Sequence, residues 1–250
     1  GLFAAANPST AGYTFLTSAA ANVIQAFGDD QQKALFLPGM SDGSYAGTMA
    51  LTEPDVGSSL GDLSTKASVQ SDGSYHLKGQ KMFISGGDQD ITENIVHLVL
   101  ARVEGAVDGV KGISLFITPK YLVNENGELG ARNDVKLVGL LHKMGYRGTT
   151  STVLNFGEED QCTGYLIGVA GKGLFYMFKM MNEARIGVGL GAAMIGYRGY
   201  LESLEYAKNR PQGRKPSQKE KDSKPVNIIE HADVKRMLLA QKSYVEGSLA

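Results

Sequence analysis

Thr52, Ser58 and Ser59 are hydroxyl residues set beside chain-breaking neighbours, a combination that can grip the edge of a planar, hydrogen-bonding ligand. In residues 48–59, Thr-Met-Ala-Leu-Thr-Glu-Pro-Asp-Val-Gly-Ser-Ser, a short apolar run ends at Leu51 and Thr52-Glu53-Pro54 break it. Pro54 has a fixed φ and no backbone donor, so a strand cannot continue through it. Gly57 admits positive φ and lets another molecule approach the backbone closely. The expected product is a strand end that turns backbone N–H groups and the hydroxyls of Thr52, Ser58 and Ser59 toward one spot. Taken alone, the same residues also read as an ordinary polar loop.

Other chemistries fail their context tests. Gly187-Val188-Gly189-Leu190-Gly191 has the look of a dinucleotide loop, but it sits in a helical pattern with no strand before it. Small residues for close helix packing are the better reading. No phosphate-loop or Gly-x-Ser-x-Gly elbow occurs. His76, His97, His142 and His231 are scattered without metal-ligand spacing, so no metal site is expected. Cys162 is the sole cysteine, which excludes an internal disulfide and fits a reducing, intracellular (cytoplasmic) setting. A net charge of −1 gives nucleic acid no basic face. No apolar run approaches the ~20 residues of a membrane span. The first residues lack an initiator Met, a basic lead and a cleavage site, and both ends read as cut. The basic stretch 214–224 reads as a solvated, mobile loop.

The elements that would position the hydroxyls fall into three regions. Residues 1–41 read as helical: Ala20, Val23, Ile24 and Phe27 recur at helical spacing before Gly28, and Asp29-Asp30 cap a short helix ended by Pro38-Gly39. From 42 to 160, short runs alternate with Gly, Asp and Asn, as in an all-β sandwich or barrel. There, 75–85 reads as strand, turn, strand, and 95–101, 112–117 and 150–156 as single strands. From 161 to 250 the texture is helical again, with Leu174, Phe178, Met181, Arg185 and Val188 on one face of a helix over 173–210 and another helix over 226–250. Hydrophobic residues make up 42% of the 250, enough for one large or two modest domains. The fold class is α+β.

Five blocks then occur in order: Thr52-Glu53-Pro54-x-x-Gly57-Ser58; Gly79-Gln80-Lys81-Met82-Phe83-Ile84-Ser85-Gly86-Gly87; Lys143-Met144-Gly145-Tyr146-Arg147; Asn182-Glu183-Ala184-Arg185-Ile186-Gly187-Val188; and Tyr206-Ala207-Lys208-Asn209-Arg210. Together they resemble the flavin-dependent acyl-CoA dehydrogenases across nearly the whole chain. The text around 91–102 and 142–145 is similar to the branch that includes methylmercaptopropionyl-CoA dehydrogenases. The resemblance implies N-terminal helices, a middle β domain and a truncated C-terminal helical bundle around FAD and an acyl thioester.

It also implies roles. Met49, Ala50, Leu51, Thr52, Gly57 and Ser58 would line the flavin, Ser58 also touching the thioester's pantetheine arm. Phe83, Ile84 and Ser85 would form a second flavin wall; the family usually carries Trp and Thr where this chain has Phe83 and Ser85. Arg210, with Gln212, would reach the FAD diphosphate of a neighbouring subunit, and Asn182 and Arg185 would border the acyl-CoA. The implied reaction removes an α-proton from the thioester while the β-hydrogen leaves as hydride. Its base is expected beyond Ala250, because Glu183 lies about 100° around the helix from the position a minority of relatives use. Glu183 itself reads as a solvated helix residue, and no dehydrogenase turnover is expected from residues 1–250 alone. Implied partners are the acyl-CoA, an electron-transfer flavoprotein and further copies in a homodimer or homotetramer. The alternatives are an acyl-CoA oxidase and a non-catalytic flavoprotein scaffold.

Overall fold

Helical spacing gives way to strand alternation within the unit Ser9–Arg185, while Gly1–Pro8 and Ile186–Ala250 form a second unit. The computed structural model describes residues 1–217 and 222–250. Three helices come first, α1 (Leu2–Ala6), α2 (Pro8–Phe27) and α3 (Asp30–Asp42). α2 buries Ala19, Ala20, Val23 and Ile24, and stops where the Gly28 N–H donates back to the Ile24 carbonyl at 2.8 Å. Asp29 caps α3 with a reciprocal box: its carboxylate accepts from Gln32 N at 2.7 Å, and Gln32 Oε1 accepts from Asp29 N at 3.3 Å. α3 does not end at Pro38-Gly39 but runs on to Asp42, with Gly43 at φ 89° beyond it. Phe36 and Met40 are buried on either side of the proline, and a Cβ on Gly39 would lie 2.7 Å from the Tyr45 ring. Packing on both sides outweighs the hydrogen bond that Pro38 cannot make.

Ten strands follow: β1 (Tyr45–Ala50), β2 (Lys66–Val69), β3 (Tyr75–Ser85), β4 (Asn94–Val103), β5 (Ile113–Pro119), β6 (Tyr121–Val123), β7 (Leu129–Arg132), β8 (Val135–Leu140), β9 (Ser151–Phe156) and β10 (Thr163–Leu166). β4, β5, β10, β3 and β2 pair in a closed ring, since β2 hydrogen-bonds to both β3 and β4. This is the expected barrel. β1 adds parallel to β4, and β9 and β8 extend the sheet beyond β3. Alternation along β4 sends Val96, Leu98 and Leu100 to the core shared with the helices and Val99 and Ala101 to a second core inside the sheet.

The strand–turn–strand expected at 75–85 is one strand. Gly79 marks a close approach rather than a turn: a Cβ there would lie 2.4 Å from Thr65 Oγ1 and 2.8 Å from Thr65 Cα.

α4 (Gly173–Asn209) begins against β5, where Gly173 leaves no room for a side chain beside Ser114 and Leu115. In its first turns the buried side chains are Tyr176, Met177 and Met180, with Leu174 and Met181 partly covered. Phe178, Arg185 and Val188, expected on that face, are exposed: the apolar spacing was right and its phase was off. Gly189 and Gly191 face open space, so the close helix packing expected there is not made by the described residues.

In the second unit α5 runs over Ala232–Gly247, shorter than the helix expected from 226. Residues 226–228 instead pair with 210–213: Gln212 N donates to Val226 O, Val226 N to Gly213 O and Ile228 N to Arg210 O. α4 and α5 meet where a Cβ on Gly196 would lie 3.3 Å from Val245. Part of the basic stretch 214–224, residues 218–221, lies outside the described residues; beside it Lys215 pairs with Glu230 at 2.6 Å. Among the described residues no helix is long and apolar enough to cross a membrane, and no acidic, His or Cys cluster could hold a metal ion.

Candidate functional site

The strand exit after β1 is built as its sequence demands. Leu51 and Glu53 turn inward and Thr52 is half-exposed, while Pro54 starts a tight turn closed by two hydrogen bonds between Glu53 and Val56. Gly57 and Ser58 stand in solvent. Gly57 does not use positive φ, and open space surrounds its Cβ position.

What anchors this exit is a buried ion pair that sequence reading passed over. Lys81 Nζ, with its side chain fully buried, lies 2.9 Å from Glu53 Oε1 and 3.0 Å from the Leu51 carbonyl. Glu53 also accepts from Ser64 N and Oγ at 2.7 Å each and from Thr65 N and Oγ1 at 3.1 and 2.6 Å. Burial works against its charge, but Lys81 and these hydrogen bonds prevail and bring the carboxyl down to about 2. Burial likewise lowers the Lys81 ammonium, with Glu53 opposing. The pair staples three segments: the β1 exit, the approach to β2, and β3. A charged pair in the text Thr-Glu-Pro … Gln-Lys-Met was the available signal, obscured because both residues usually belong on surfaces.

β3 carries a bulge at this point. Lys81 faces Leu154 and Ile84 faces Thr152, so Met82 and Phe83 oppose a single residue of β9. Phe83 adopts φ 60°, a conformation residues other than Gly rarely take, and the residue is 60% exposed. The bulge thereby turns an aromatic ring out of the sheet instead of into the core. Met82 N donates to Thr52 O at 2.9 Å, so the β1 exit lies edge-on against the bulge.

Of the residues named from the sequence, Thr52 and Phe83 lie on hydrogen-bonded neighbouring segments, and Gly57, Ser58 and Ser85 are exposed. Thr52, Ser58 and Ser85 hydroxyls have no hydrogen-bond partner among the described residues. Met49, Leu51 and Met181 of α4 belong to one extended apolar cluster. Ala50 and Ile84 are buried within the sheet, so only their backbones can serve a ligand. Asn182 and Arg185 follow Met181; Arg185 is exposed, donates to Asn182 Oδ1 at 2.8 Å and lies 5.9 Å from the Phe178 ring. Glu183 is not simply solvated: it is half-buried and accepts from Asn22 Nδ2 of α2 at 2.8 Å. Arg210 and Gln212 belong to the other unit, both exposed, with the Gln212 carbonyl 2.7 Å from His231 Nε2.

Chemically, the region offers donors, an exposed aromatic face and no metal ligands, a fit for a flat heteroaromatic rich in acceptors. Comparison with known proteins finds similarity over nearly the whole chain. Residues 48–158 match the family described as acyl-CoA dehydrogenase, middle domain. A butyryl-CoA dehydrogenase of Syntrophomonas wolfei subsp. wolfei is 45% identical over 98% of this chain and 41% of its own length. A 3-methylmercaptopropionyl-CoA dehydrogenase of Ruegeria pomeroyi is 44% identical over 94% of this chain and 39% of its own. The structure of butyryl-CoA dehydrogenase from Megasphaera elsdenii superposes with a TM-score of 0.78 at 26% identity, covering 98% of this chain and 57% of that one. The chain therefore spans about two fifths of the length of those curated relatives.

Proposed function

We propose that the chain is a member of the acyl-CoA dehydrogenase family whose strand exit and bulge hold FAD for the α,β-dehydrogenation of an acyl-CoA thioester. The observation that carries this reading is the exposed Phe83 ring on a strained bulge, hydrogen-bonded through Met82 to a strand exit whose hydroxyl is open. FAD, when bound, supplies the hydride acceptor. The chain's own residues bind and orient. Thr52 addresses an acceptor edge through its N–H and hydroxyl, Phe83 lies against the ring face and Ser85 closes the rim. Leu51 and Met49 keep water from the apolar side. Ser58, Asn182 and Arg185 border the thioester, and Arg210 with Gln212 serves the diphosphate of a neighbouring subunit's cofactor, a bidentate task suited to guanidinium.

In this reading Glu183, tied to Asn22, does not act as the proton-abstracting base. The relatives' names recommend a short, linear acyl-CoA as the first substrate to try. We further assign residues 1–41, 42–160 and 161–250 to helical, β and helical domains of a homodimer or homotetramer in a reducing intracellular compartment, with electrons passing to an electron-transfer flavoprotein. The test is anaerobic addition of butyryl-CoA to the full-length protein carrying this sequence. Loss of the oxidised-flavin absorbance supports the dehydrogenase; unchanged absorbance across a short-chain series counts against it. Peroxide formation in air would move the assignment to an oxidase.

A further inference from the structure

The peptide joining Leu51 to Thr52 has an unusual environment on one side only. Its carbonyl points at the buried Lys81 ammonium, 3.0 Å away, and the described chain contains no cis peptide. In a trans peptide the N–H projects opposite to the C=O. The Thr52 N–H therefore leaves on the side away from Lys81, and it has no partner among the described residues. The neighbouring acceptors are all committed: Thr52 O to Met82 N, Glu53 O to Val56 N, and the Glu53 carboxylate to Ser64, Thr65 and Lys81. The exit of β1 thus shows the accessible side a donor and hides its carbonyls.

Hydrogen bonding to a carbonyl polarises the whole amide, and a cation in a dry setting does so more strongly than a neutral donor. Lys81 is completely buried, so its charge acts through little screening solvent.

We propose that Lys81, held in place by Glu53, is a positioning residue that acts through the Leu51–Thr52 peptide to make the Thr52 N–H a strengthened donor, selecting an acceptor atom that becomes more electron-rich when the bound heteroaromatic is reduced. This rests on the flavin reading above and deepens it. The pair does more than hold the loop: it favours reduced over oxidised flavin. Glu53 is needed because Lys81 alone could not stay charged in that interior. The two residues reach the cofactor only through the peptide, so neither need touch it.

The test uses the full-length protein and the double variant Glu53→Gln/Lys81→Met, which removes both charges together and leaves neither unpaired. Affinity for oxidised FAD is read by fluorescence quenching, and the midpoint potential of the bound flavin by equilibration with a reference dye. The expected result is a lowered potential, corresponding to a loss of affinity for reduced flavin roughly tenfold greater than for oxidised flavin. Equal weakening of both states would reduce the pair to scaffolding and overturn the inference, as would no change in either. A second reading needs no variant. Amide hydrogen exchange at Thr52 should be fast in the flavin-free protein and slowed about tenfold or more when flavin is bound. Protection already complete without flavin would overturn the inference. If the unaltered protein takes up no flavin at all, the functional reading itself fails and carries this one with it.

Discussion

Glu53, Lys81 and Phe83 hold most of the account at the scale of single residues. Replacing Glu53 by Gln alone strands the Lys81 charge in the interior and should cost about 3–5 kcal/mol of unfolding free energy by urea titration. Adding Lys81→Met should recover much of that loss, because a neutral pair removes the unpaired ion. Acid will probe the same pair. The Glu53 carboxyl lies near 2 in the fold against an ordinary 4.5, so its contribution is complete above about pH 4.5 and is lost as pH falls from there toward 2. His97, buried beside Thr48 with Nδ1 to Oγ1 at 2.7 Å, is pushed by burial to about 3 from 6.5. It stays neutral in the fold, so its penalty sets in earlier, as pH drops below about 6.5. A His97→Gln variant should therefore keep a flat stability profile down to about pH 4.5, where the native protein already slopes. Phe83 pulls stability and function apart. Phe83→Gly relieves positive-φ strain and should raise stability by about 1 kcal/mol while weakening flavin retention. The hydroxyls of Thr52 and Ser58 were legible in the sequence because they flank the chain-breaking Pro54 and Gly57. The ion pair and the strained phenylalanine were not, since neither burial of charge nor a bulge leaves a periodic trace.

The elements show where local rules suffice and where packing overrides them. The Asp29–Gln32 box begins α3 as its residue types require, and Asp29→Ala should cost about 1 kcal/mol in thermal or urea unfolding. The end of α3 defied its Pro38-Gly39 signal because Phe36, Met40 and Tyr45 hold both sides of the break. At Gly79 the reading of a turn failed for a related reason: a glycine can be required by a neighbour instead of by its own φ. Gly79→Ala should lower stability by about 1–3 kcal/mol, since the new methyl group meets the Thr65 backbone and disturbs a donor to Glu53. A negligible change would show that β2 and β3 can separate locally without loss. The phase of α4 was misread because Leu174, Phe178 and Met181 fit a helical stripe as well as Tyr176, Met177 and Met180 do.

For the whole molecule, the α+β plan was readable from changes of texture alone: helical spacing, then short strands, then helical spacing. Ring closure was not, since β2 and β10 are four-residue strands whose membership depends on partners distant in sequence. The central claim is that the β1 exit and the β3 bulge form a flavin-binding wall. Titration of the flavin-free full-length protein with FAD, followed by fluorescence, tests it most directly. The account predicts one FAD per chain, with affinity reduced about tenfold or more in both Thr52→Ala and Phe83→Ala. Absence of FAD uptake, or uptake that both variants leave unchanged, would contradict it.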